Sequence, residues 1–147
     1  MFEVIGYAGR STQLGAARRM NNIRRTVREE LLLDGLEGAV PLTIVDSHAT
    51  ELNPAIPISE LQKETLETVR SLVSDGLFSL GAMSGEDGSW VEWNESLATS
   101  MQKISDAYVN NYEDPAAWIW AWMKLTDKGK QVARALGQEC TDPDSSC

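Results

Sequence analysis

Residues 116–125 read AAWIWAWMKL, with tryptophan at every second position from 118 to 122. Successive side chains of a strand point to opposite faces. A strand here therefore sets Trp118, Trp120 and Trp122 on one face and Ile119, Ala121, Met123 and Leu125 on the other. A strand that is apolar on both faces is normally covered on both. The row thus predicts a sheet covered on both faces, so the tryptophans need a cover of their own. The rival is an exposed platform on which bases stack for ~1–3 kcal/mol each. That needs basic neighbours for the phosphates, and the stretch offers none before Lys124. We read the tryptophans as a second small core.

The cover is expected just upstream. In NESLATSMQKISDAYVNNY the positions Leu97, Met101, Ile104, Tyr108 and Tyr112 recur at three or four, the period of an amphipathic helix that Pro115 ends. Residues 57–76 predict another helix, with Ser59 and Gln62 as a capping box and Gly76 as its stop. Its inward face is Ile58, Leu61, Thr65, Leu66, Val69, Leu72 and Val73. LFSLGAM (77–83) follows as a strand. Met20, Ile23, Val27 and Leu31, with Ala16 in phase, give a first helix that stops near Gly35 and Gly38. AVPLTIV (39–45), with its early proline, is an edge strand or connector. DSHATELNPAIP is a loop with at most one helical turn, in which Asp46 or Ser47 caps the turn. LTDKGKQVARALG supplies the last helix, capped by Thr126 or Asp127 and closed by Gly137.

The chain has 147 residues, enough for one domain with its own core. Residues 1–15 show no period and read as an irregular extension, 16–139 as the domain, and 140–147 as a flexible tail. Both cysteines, Cys140 and Cys147, lie in that tail, where free thiols and a reducing compartment are expected. With no apolar run near ~20 residues and no signal-like start, the expected location is the cytoplasm, away from membranes.

Charge is unevenly spread. Residues 1–28 hold six arginines against one acid, net +5, whereas 29–147 hold seven bases against twenty-one acids, net −14. An acidic body repels phosphate backbones and favours basic partners.

Two local patterns carry a family resemblance. LVSDGLF (72–78) joins a helix end, a glycine stop and an apolar strand; MKLTDKGKQVA (123–133) joins a strand end, a capped turn and a helix. Together they resemble the winged helix-turn-helix superfamily, in which a helix ending Leu-x-x-x-Gly-Leu feeds a hairpin whose second strand ends Leu-Thr-x-x-Gly. The chain looks similar to small bacterial winged-helix proteins with a tryptophan-rich hairpin. The resemblance implies an α+β fold, mostly helical, with a winged-helix core, a small antiparallel sheet and a helix inserted between the wing strands, at 84–115. It also implies DNA binding, but the charges oppose that. The would-be reading helix, 59–75, sets two bases against four acids, and no base lies between Arg70 and Lys103. DNA-reading surfaces present cations and amides to phosphates and base edges.

The segment GEDGSWVEWNE makes Glu86, Asp87, Trp90, Glu92, Trp93 and Glu95 the candidate partner-binding residues. Aromatic rings anchor interfaces, and an acidic rim steers a basic partner. The nucleic-acid alternative rests on Arg18, Arg25 and Arg28, which share about 80° of a helical wheel. Asp46, Ser47 and His48 are consecutive and cannot form a catalytic relay. The chain has neither a histidine pair, nor Cys-x-x-Cys, nor a phosphate-binding glycine loop. We therefore expect no catalytic, cofactor or metal site. The expected function is a protein-binding module, an immunity- or antitoxin-type inhibitor or regulator of a basic partner. The alternative is a dimeric winged-helix transcriptional regulator.

Overall fold

A computed structural model describes residues 22–84 and 86–141, with side chains to 137. The fold is α+β. Helix α1 covers residues 22–35 of the described chain, followed by β1 (Val40–Pro41), α2 (Leu42–Leu52), α3 (Ile58–Ser74), β2 (Phe78–Ala82), β3 (Val91–Glu92), α4 (Leu97–Asn110), β4 (Trp122–Leu125) and α5 (Asp127–Thr141). The strands form one antiparallel sheet in the order β1-β4-β2-β3.

The two patterns LVSDGLF and MKLTDKGKQVA meet in space. Gly76 ends α3 at φ 76°, a left-handed turn open to glycine, and β2 starts two residues later. The Thr126 N–H donates to the Leu77 carbonyl at 3.0 Å and its hydroxyl donates to the Gly76 carbonyl at 2.5 Å. The same hydroxyl oxygen accepts the Gly129 N–H at 3.0 Å, so Thr126 is the cap of α5. Gly129 lies against the chain at Leu77, where an added Cβ would stand 2.0 Å from the carbonyl oxygen. α5 runs on through Gly137 to Thr141, one turn beyond the expected stop.

Several expectations are corrected. DSHATELNPAIP is not mainly loop: α2 takes in Leu42 to Leu52, because Leu42, Val45 and Ala49 form a buried stripe that outweighs the β-branched Thr43-Ile44-Val45 run. Asp46 and Ser47 are thus mid-helix and cap nothing. Helix α3 starts at Ile58 with Pro57 as its N-cap and no side-chain cap, so the Ser59–Gln62 box is not made, and Ile58 is exposed rather than inward. The tryptophan strand is shorter than expected. Pro115–Ala117 is a 3₁₀ turn, 118–120 a further turn, and β4 begins only at Trp122. Trp118 is buried, Trp122 half-buried and Trp120 exposed, so the three do not share a face.

Nor is there a separate second core. Met101, Ile104, Tyr108 and Trp118 belong to the same cluster as Val27, Leu31, Val45, Val69, Leu72, Phe78 and Met123. α4 packs along α3, not onto the back of the sheet. Helix α3 is consequently buried at Leu61, Gln62, Glu64, Thr65, Thr68, Val69 and Leu72, which leaves a stripe of Glu60, Lys63, Glu67, Arg70 and Ser74 in solvent. The buried Glu64 carboxylate accepts two hydrogen bonds from Arg24 of α1, at 2.6 and 2.8 Å. A bidentate pair of this kind also fixes direction, and here it orients α1 on α3.

Candidate partner-binding surface

The segment between β2 and α4 begins with a tight reversal. Asp87 and Gly88 follow each other in the left-handed region, at φ 59° and 74°. The chain then returns beside β2, where Val91 pairs with Ala82 and Glu92 with Gly81. Gly81 allows this approach: a Cβ there would meet the Val91 carbonyl at 2.4 Å and the Trp90 ring at 2.7 Å. Trp90 is thus laid across the strand and half-buried. The Trp93 N–H donates to the Leu80 carbonyl at 3.1 Å. Ser96 caps α4 by accepting the Thr99 N–H at 3.2 Å.

β3 is one of the two edge strands and pairs with β2. Glu86, Asp87 and Glu92 stand in solvent at this edge, and Val91 is 43% exposed. Trp93 packs against Trp120, with ring centroids 5.6 Å apart and planes at 46°. Lys103 of α4 places Nζ 4.4 Å from the Trp93 ring centroid and 2.7 Å from Glu95 Oε1. Of the six candidates, the fold joins Trp93 and Glu95 through Lys103 and sets Glu86, Asp87 and Glu92 along the adjoining rim; Trp90 lies inboard. Two members of the surface escaped the sequence reading. The alternation puts Trp120 on a buried face, and Lys103, the single base of its helix, stands ten residues from Trp93 with no signal that joins the two.

The arginine alternative is dispersed. Arg18 lies outside the described residues. Arg25 is exposed and reaches Glu29 at 3.4 Å. Arg28 bonds Asp75 at 2.7 Å and Ser71 at 3.4 Å, at the end of α3. Arg24, which the wheel did not select, is held above its ordinary pKa by the hydrogen bond to Glu64.

A second polar constellation lies inside the domain. Asp46 Oδ1 accepts hydrogen bonds from the Tyr108 hydroxyl at 2.5 Å and the Tyr112 hydroxyl at 3.0 Å. The Tyr108 and Tyr112 rings pack around Trp118: Tyr108 meets it edge-on at 4.9 Å, and Tyr112 is stacked at 6.2 Å. Burial pushes the Tyr108 phenol well above its ordinary pKa, and the bond to Asp46 adds to this. Tyr112 is raised by burial and by the Asp46 charge. Both phenols stay neutral in the folded chain while those of the unfolded chain ionise near pH ~10. Their contribution to stability is therefore full below about pH 10 and is lost as pH rises beyond it. The double variant Tyr108→Phe/Tyr112→Phe should be somewhat less stable at neutral pH, by about 1 kcal/mol per lost bond, and should show a flatter alkaline fall in urea midpoint. An unchanged alkaline limb would rule the phenols out as its source.

The lone histidine pairs with α1, His48 Nε2 lying 2.7 Å from Asp34 Oδ2. Among the described residues no three His, Cys, Asp or Glu side chains are grouped to hold a metal, and no helix is long and apolar enough to cross a membrane. Comparison with protein-family models, curated proteins and solved structures finds no match.

Proposed function

We propose that this chain is a non-enzymatic protein-binding module on a winged-helix-like scaffold. It engages a basic partner through the acidic, tryptophan-bearing edge formed by β3 and the start of α4. The element order, with α3 ending at Gly76 against Thr126 and Gly129, supports the scaffold reading. Such a module acts as an immunity- or antitoxin-type inhibitor or regulator, working in the cytoplasm.

One observation carries the choice between protein and DNA. The helix that a DNA-binding relative would insert into the groove is covered by α4, and its remaining stripe sets Glu60 and Glu67 against Lys63 and Arg70. A neutral stripe offers a phosphate backbone no net attraction. The rim of Glu86, Asp87 and Glu92 repels it further. The same rim speeds encounter with a basic protein, and half-exposed rings beside it supply anchors.

Two measurements test the reading. Duplex DNA of random and native upstream sequence should not shift in a low-salt mobility assay. Capture from the source organism's lysate should recover basic proteins with the wild type and lose them with Glu86→Gln/Asp87→Asn/Glu92→Gln. A DNA shift that disappears with salt and with Arg25→Ala would overturn the proposal in favour of a transcriptional regulator.

A further inference from the structure

We propose that Trp93, Glu95 and Glu92 form a site for one lysine or arginine side chain of the partner, and that Lys103 occupies this site in the free protein as an internal competitor. The inference rests on the protein-binding reading and adds the recognised group.

An ammonium or guanidinium in water is best held by two kinds of neighbour, a carboxylate and the face of an indole. Lys103 has both, at 2.7 Å from Glu95 and 4.4 Å from the Trp93 ring centre. The chain's own lysine thus shows that an ammonium fits between this carboxylate and this indole. Trp120 restrains the indole by packing against it at 5.6 Å. Beside the position Lys103 takes, Glu92, Trp93 and Glu95 line a cavity of about 320 Å³ together with Phe78, Leu80 and Leu97. The cavity leaves room for the aliphatic part of an incoming side chain, and Glu92 adds a second carboxylate to its lining.

The occupant is replaceable. The Lys103 side chain is 46% exposed, and exposed ion pairs of this kind are weak and screened by salt. Its loss does not undo α4, which is capped by Ser96 and anchored by Met101, Ile104 and Tyr108. A partner's cation therefore exchanges with Lys103 instead of creating a new charged contact. Arginine is the stronger competitor, since its planar head stacks on an indole and engages a carboxylate with two donors.

The test uses the full chain labelled with ¹⁵N, following the tryptophan indole N–H signals during titration with N-acetyl-arginine amide at constant ionic strength. Lys103→Met should bind the probe about five- to tenfold more tightly than the wild type, shifting the Trp93 signal saturably. Lys103→Met/Glu95→Gln should lose most of that gain, and the neutral citrulline amide should leave the signal in place. Unchanged signals of Trp118 confirm that each variant is folded. A Lys103→Met protein that binds no better than wild type, or an equal response to citrulline, overturns the proposal. If the probe fails while the carboxylate variant still loses captured basic proteins, the cation site falls and the protein-binding reading stands. If the probe binds Lys103→Met but no basic protein is captured, the reverse holds.

Discussion

Gly129→Ala is expected to cost about 3 kcal/mol, at the upper end of what overpacking does, and to lower the melting midpoint by roughly 10 °C. In an open helix the same change is helpful, since alanine is the better helix former by about 1 kcal/mol. Here the new methyl would stand 2.0 Å from the Leu77 carbonyl oxygen and 2.9 Å from a Leu125 methyl. The carbonyl cannot swing away, because it accepts the Thr126 N–H. Relief needs α5 to lift from the β2–β4 pair, which loosens the Thr126 cap and the burial of Ala133 together. Thermal unfolding of Gly129→Ala beside Gly137→Ala separates the two effects. At Gly137 the nearest atom is 4.0 Å away, so that variant should gain slightly. Equal midpoints for the two would sink the account of the crossing.

Trp118→Ala is expected to cost about 4 kcal/mol, the range for emptying a buried aromatic site. Trp118 is 3% exposed, meets Tyr108 edge-on, stacks on Tyr112 and donates its indole N–H to the Asn111 carbonyl at 3.2 Å. Removing it leaves a void under α4 and unsupports both tyrosines that bond Asp46. Trp120→Ala, two residues on, should cost clearly less in urea stability, about 1–2 kcal/mol, because Trp120 is 36% exposed and gives up only part of its ring surface, its packing on Trp93 and its hydrogen bond to the Ala117 carbonyl. If Trp120→Ala proved as costly as Trp118→Ala, the row would be a continuous buried face after all.

That contrast shows what the sequence could convey. The hydrophobic period located α3, α4, β2 and the end of β4, because Val69, Leu72, Ile104, Tyr108, Met123 and Leu125 all face one core. The alternation of tryptophans was misleading. Pro115 and the turn after it change the period between Ala117 and Ala121, so equal spacing in sequence became three different environments. Helix α2 was missed because Pro41, Pro54 and a β-branched run all argue against helix locally, and only the packing of Val45 and Ala49 decides for it. At the candidate surface the acids were legible, since exposed charge needs no fold to be exposed. The Lys103–Trp93–Glu95 contact was not, because α4 must dock before residues 93 and 103 meet. The Arg24–Glu64 pair spans forty positions and shows no periodic signal at all.

The pairing of β2 with β4 joins Gly81 to Trp122 and Phe78 to Leu125, two strands that a short turn joins in an ordinary hairpin. Closing a loop of about forty residues instead of about four adds some three doublings of length, or ~2 kcal/mol of chain entropy. That entropy is spent before any β2–β4 hydrogen bond forms, so this pairing is expected late on the folding path. α4, with a local cap and a neighbouring helix to lie on, shortens the effective loop when it docks first. The expected consequence is that α4, by docking first, brings β4 within reach of the sheet it completes.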